Sequence, residues 1–181
     1  MSGTPLTAAE LQTRGEDAYQ RSQYAAAADA FRQAAASFRA AADSLAAAEM
    51  DNNAAVSLLQ IDRPAEALEL IEGTPATFRA ANDLARAGRA HGNRGAALEA
   101  LGRVAEAMTA YQTAVDLFAK TGDREARAQT YQSLSRLQLR QGKPLEAVTS
   151  MQYGLDAGDS PPFGQRLLRW FLSLPARLLG R

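Results

Sequence analysis

The sequence predicts an all-α protein, a solenoid of stacked helical hairpins, and three observations carry that reading. Self-similarity returns at one constant offset: FRAAAD (Phe38 to Asp43), FRAAND (Phe78 to Asp83) and FAKTGD (Phe118 to Asp123) stand 40 residues apart, and a fixed period of this kind marks a repeat architecture. The same offset carries Ala27 to Ala67, Ala107 and Ala147, and Phe31 to Ile71, Tyr111 and Met151. Within each period, apolar and small residues recur at spacings of three and four, which is one face of a helix, and few stretches alternate as a strand would.

The elements come in order. LTAAEL offers Thr7 and Glu10 as a capping box with Leu6 and Leu11 as its hydrophobic staple, so the first helix should start near Ala8. Turns inside the hairpins are expected near Ser22, Asp62, Gly102 and Gly142, with Pro64 and Pro144 opening the next helices, where a missing N–H costs nothing. Asp43, Asp83 and Asp123 stand where an N-cap should accept from the free amides of the next helix. IEGTPATF puts Gly73 and Pro75 inside a helical pattern whose period is nevertheless kept through Phe78, so a kink or helix restart near Thr74 to Ala76 is expected, with a functional hinge as its sharper reading. Alanine dominates because two helices approach closely only where side chains are small. Ala27, Ala67, Ala107 and Ala147 should let each pair close while Phe31, Ile71, Tyr111 and Met151 fill the gaps.

RGEDAYQRSQYAAAADAFRQAA, NNAAVSLLQIDRPAEALELI, NRGAALEALGRVAEAMTAYQTA and QSLSRLQLRQGKPLEAVTSMQYG together resemble the tetratricopeptide repeat in its longer variety of about 40 residues per unit. The resemblance covers residues 8–157 and implies a right-handed superhelix of four helix pairs. The units are expected at 8–42, 44–82, 84–122 and 124–157, after a lead over 1–7 and before a Pro-rich linker at 158–162 and an amphipathic basic helix at 163–181. The large aromatic usual early in the first helix is replaced by Leu11, Asp51 and His91; Tyr131 keeps it.

Composition excludes more than it names. At 181 residues the chain fits one domain able to bury its own core. Net charge is zero, and four arginines with no acid lie beyond Pro161, so the remainder is slightly acidic and lacks the broad basic face of a nucleic-acid binder. Without cysteine there are no disulfides, thiol nucleophiles or Cys-based metal sites. The single histidine, His91, sits at a position that normally faces the core and reads as packed or hydrogen-bonded. The acids are scattered over helix surfaces, and the glycines of GNRGAALEALG read as close helix contacts and a turn. No enzyme, metal site or cofactor is therefore expected. The start of the chain lacks the basic and apolar pattern of an export signal, which leaves the cytoplasm as the default, and Arg169 and Pro175 interrupt the one stretch apolar enough to suggest a membrane span.

The resemblance implies a binding groove lined by the first helices of successive units, which holds a peptide or protein segment, so that the protein serves as an interaction scaffold or adaptor. Mapped residue by residue, that set is Gln12, Glu16, Tyr19, Asn52, Asn53, Val56, Arg89, Asn93, Gln132, Arg136 and Arg140. Asn53 and Asn93 stand one period apart and match asparagines that bond a bound peptide's backbone in long-repeat relatives. Arg136 and Arg140, four apart, are expected on one helix face, where they would pair an acidic ligand.

The ending RLLRWFLSLPARLLGR falls where the first helix of a fifth unit would begin. On a helical wheel Arg166, Arg169, Ser173 and Arg177 form a narrow polar stripe, while Trp170 and the leucines, Leu168, Leu172 and Leu179 among them, cover roughly 200°. That is more than one supporting face hides. The surplus has three fates: capping the solenoid or folding over its groove, contact with an anionic membrane surface or membrane protein, or a homodimer. The membrane fate would make the protein a peripheral assembly factor on the cytoplasmic face of a membrane.

Overall fold

The computed structural model describes residues 6–157, and every regular element in that range is helical. Among the described residues nine helices succeed one another: α1 (Ala8–Gln20), α2 (Tyr24–Ala40), α3 (Ser44–Leu59), α4 (Pro64–Ile71), α5 (Thr74–Ala80), α6 (Leu84–Ala100), α7 (Val104–Thr121), α8 (Arg124–Arg140) and α9 (Pro144–Ala157). They pack as hairpins α1/α2, α3/α4–α5, α6/α7 and α8/α9. Each hairpin also stacks on the next, through α2 on α3, α4 and α5 on α6, and α7 on α8. The all-α solenoid of four helix pairs is thereby borne out; the linker and the tail helix lie outside the described residues.

The local chemistry that starts and stops these helices is largely the chemistry expected. Thr7 and Glu10 form a complete capping box: the Thr7 amide donates to Glu10 Oε2 at 2.8 Å and the Glu10 amide donates to Thr7 Oγ1 at 3.3 Å. Asp43, Asp83 and Asp123 accept from the amides of Ala46, Arg86 and Ala126 at 2.9, 2.9 and 3.0 Å. Every connection except the α4–α5 break turns on one left-handed residue. These are Ser22, Ala42, Asp62, Asn82, Gly102, Gly122 and Gly142, each 20 residues after the last, with φ between 55° and 73°. The break itself is a helix restart. Thr74 Oγ1 donates to the Ile71 carbonyl at 3.0 Å, and Pro75 sits in the first turn of α5, where it displaces no helical hydrogen bond.

The core obeys a rule of small against large. A Cβ on Gly15 would come within 2.6 Å of the Phe31 ring, and one on Gly95 within 2.7 Å of the Tyr111 ring. One period away, where the large partner is aliphatic Ile71, the small position is Ala55. At Gly15 and Gly95 the ring against the helix leaves no room for a methyl, whereas at Ala55 a methyl is admitted. Ala27, Ala67, Ala107 and Ala147 are all buried, as are Phe31, Ile71 and Tyr111. Met151 departs from its row. It is 53% exposed, because the earlier three are enclosed by the succeeding hairpin and none succeeds α9 among the described residues. Gly92, expected to mark a close contact or a turn, does neither: nothing lies within 4 Å of its would-be Cβ.

Candidate peptide-binding groove

The first helices of the four pairs, α1, α3, α6 and α8, hold two open clefts between them. The first, about 290 Å³, lies between α1 and α3 and is lined by Glu16, Tyr19, Gln20, Phe31, Asn53 and Val56. The second, about 360 Å³, lies between α6 and α8. Arg89, Gly92, Asn93 and Ala96 form one side, Ala126, Gln129, Thr130 and Ser133 the other, and the buried rings of Tyr111 and Phe118 reach it from α7. Both combine aromatic carbon with amide, hydroxyl or charged groups, the mixture that holds a polypeptide through side-chain burial and backbone hydrogen bonds.

Six of the eleven residues expected in the groove line a cleft: Glu16, Tyr19, Asn53 and Val56 in the first, Arg89 and Asn93 in the second. The others sit around them. Gln12 donates to Glu16 Oε1 at 2.9 Å, and Asn93 donates to Asn52 Oδ1 at 3.1 Å, which ties α6 to α3 between the two clefts. Gln132 is exposed on α8, and exposed Arg136 donates to Ser133 Oγ at 3.1 Å on the rim of the second cleft. Arg140 is placed differently from its expected role. Its guanidinium pairs with Glu99 of α6, whose other carboxylate oxygen accepts from the Tyr111 hydroxyl at 2.7 Å. Arg136 and Arg140 therefore do not offer two free cations to one ligand, since the second already bridges α8 to α6. The sequence reading missed Gln20 and Gln129, although Gln129 lies one period after Arg89 and Gln20 lies three periods before Arg140. Tyr111 was missed because it was assigned wholly to the core, and Phe118 because it was read only as a marker of the period. The tail residues Arg166, Leu168, Arg169, Trp170, Leu172, Arg177 and Leu179 lie outside the described residues.

The two polar residues that replace the usual aromatic behave differently. Asp51 is buried in α3 and pairs with Arg39 at the end of α2; burial pushes its carboxyl above the ordinary value, against the pull of Arg39. His91 has no such partner. Both ring nitrogens are buried without a hydrogen bond among the described residues, and its pKa is lowered from 6.5 by desolvation, with Arg79 and Arg94 adding to the effect. It is a packed histidine outside either cleft, not a hydrogen-bonded one. A folded-state pKa below the unfolded value means the unfolded chain takes the proton first, so stability present above pH 6.5 is lost as pH falls toward the folded value. Asp51, with its pKa raised, acts in the opposite sense, so a comparison of His91 variants against the native chain isolates the histidine. His91→Leu should raise stability by about 1–3 kcal/mol by removing buried unpaired nitrogens. It should also flatten the fall in melting temperature between about pH 7 and pH 5.5. Equal pH slopes for the two proteins in thermal melts would refute this account.

Among the described residues, no group of histidines and acids could hold a metal ion, and no helix is long and apolar enough to cross a membrane.

Stacked antiparallel hairpins of about 40 residues with an open wall of first helices define a helical-repeat protein. Residues 86–157 match the tetratricopeptide repeat family, and the resemblance read from the sequence is borne out. No curated protein matches the chain. Among solved structures, the chain is similar to the apo form of RapI with TM-score 0.77 and 17% identity, over 84% of this chain and 56% of that one. It is similar to aspartyl phosphate phosphatase F from Bacillus subtilis with TM-score 0.72 and 18% identity, over 95% of this chain and 50% of that one. The TPR-like repeats of a Podosopora anserina kinesin light chain-type protein align with TM-score 0.70 and 18% identity, over 97% and 99% of the two chains. The chain thus spans about half the length of the first two, and at these identities the likeness is one of fold.

Proposed function

We propose that the protein is a non-enzymatic scaffold or adaptor that holds an extended segment of another polypeptide along α1, α3, α6 and α8. The observation that carries this reading is the pair of clefts on one wall, each with an aromatic floor and a rim of amides and charges. Their charges differ in sign. Glu16 marks the first cleft, whereas Arg89 and Arg136 flank the second, so an acidic stretch of the ligand is best placed against α6 and α8. The only histidine is packed away from both clefts, which favours holding a ligand over transforming it.

Peptides selected from a random display library against the full chain provide the test. Binding of the selected peptides should weaken by at least about tenfold, near 1.4 kcal/mol, in an Asn93→Ala/Arg136→Ala variant measured by titration calorimetry. Stability should fall only by the little that two lost side-chain hydrogen bonds imply, about 1–3 kcal/mol. Unchanged affinity for every selected peptide would remove the groove as the binding surface.

A further inference from the structure

The last helix carries an apolar face that nothing covers among the described residues. Leu145, Val148 and Met151 are 84%, 62% and 53% exposed, and Leu155 extends the same stripe. Tyr153 lies on another side of the helix, against Tyr131 with ring centroids 5.7 Å apart. Earlier in the chain the rows of Met151 and Leu155 are buried by the first helix of the next hairpin, whereas the row of Leu145, with Ala25, Ala65 and Ala105, is exposed in every unit. Phe31 clusters with Met50 and Ala54, and Tyr111 clusters with Leu134 and Leu137.

We propose that residues 163–174 of this same chain are the occupant of the α9 face, seated with Trp170 and Leu174 against Met151. The repeat frame supplies the register. Trp170 lies on the row of Met50, Ala90 and Thr130, which are all buried, and Leu174 lies on the row of Ala54 and Leu134, both buried, and of half-buried Arg94. The triad Phe31–Met50–Ala54 is thus repeated as Met151–Trp170–Leu174, with the large residue moved from the second helix to the next one. Arg169 falls on the row of Arg89 and Gln129, both exposed, so its charge stays in water beside the groove. Beyond Leu174 the correspondence fails. Pro175 takes the row of Ala55, Gly95 and Ser135, and Arg177 takes the buried row of Ser57, Ala97 and Leu137. The docked stretch therefore ends at Leu174, and residues 175–181 take no part in the contact. This inference stands apart from the groove reading, since neither requires the other.

The chain lacks cysteine, so an engineered pair reports without background. In the full-length protein, Met151→Cys/Leu174→Cys should form an intrachain disulfide on mild oxidation, in a yield independent of protein concentration. The pair Gln112→Cys/Leu174→Cys, with one member on the exposed side of α7, should not. In parallel, Trp170→Glu in the otherwise native chain should make amide exchange across residues 146–155 about tenfold faster while leaving α1–α6 unchanged. Interchain disulfides that rise with concentration would overturn the proposal in favour of a second copy. Absence of any Met151–Leu174 link, with α9 protected only when phosphatidylserine vesicles are added, would overturn it in favour of a membrane surface. Equal exchange in native and Trp170→Glu protein would overturn it outright.

Discussion

Phe78→Ala is expected to destabilise the protein by about 3–5 kcal/mol, the cost of removing a fully enclosed aromatic ring and leaving a cavity. Phe78 is 1% exposed and sits in the central cluster with Ala48, Leu58, Ile71 and Ala87. It also anchors the restarted helix α5, which has only seven residues and depends on tertiary contact for its existence. The guanidinium of Arg86 lies 5.3 Å from the ring centroid, and this cation–π contact, about 0.5–1 kcal/mol, is lost as well. Arg86 itself should stay ordered, because it keeps its ion pairs to Asp83 and Glu49 at 2.6 and 2.8 Å. Urea unfolding should therefore show a lowered midpoint, and hydrogen exchange should show α5 opening first. A loss below about 1 kcal/mol would mean that the site collapses around the smaller side chain and that the break is not held by this ring.

Gly95→Ala and Gly92→Ala should move stability in opposite directions although both glycines lie in α6. Alanine improves helix propensity by about 1 kcal/mol at either position. At Gly92 nothing opposes it, since no atom lies within 4 Å of the new Cβ. At Gly95 the methyl would stand 2.7 Å from Tyr111 Cδ1 and 2.8 Å from Cε1. That ring cannot swing aside freely, because it is buried and its hydroxyl is bonded to Glu99 at 2.7 Å. Overpacking costs about 1–3 kcal/mol and outweighs the propensity gain. The net result expected in chemical denaturation is a gain approaching 1 kcal/mol for Gly92→Ala and a loss for Gly95→Ala. Stabilisation by both would show that the ring yields and that the glycine is dispensable.

What could be read in advance divides along physical lines. Caps and turns were legible because each depends on a few neighbouring residues: Thr7 with Glu10, the aspartates at 43, 83 and 123, and the turns at Ser22, Asp62, Gly102 and Gly142 all fall where expected, whereas left-handed Ala42 follows the period and not its residue type. The restart at Thr74 was legible for the same reason, since proline excludes continuation and the preserved period excludes a loop. The groove was legible as a set of rows but less so as a set of free groups. Arg140 sits on the expected row, yet its charge is taken by Glu99, a residue 41 positions away whose acceptance of Tyr111 no spacing rule announces. His91 was legible as packed, but its lack of a partner depends on what the second hairpin happens to present, namely Arg79 where the equivalent Arg39 meets Asp51. Met151 was misjudged because burial belongs to the neighbour that covers a residue and not to the residue itself.

The seven left-handed turn residues stand at one unvarying interval, and this bears on how such a chain can change size. Excising or inserting the stretch between equivalent turns returns every remaining helix to the phase it had. The number of hairpins, and with it the span of ligand that can be embraced, is then a quantity that can be lengthened or shortened in whole steps.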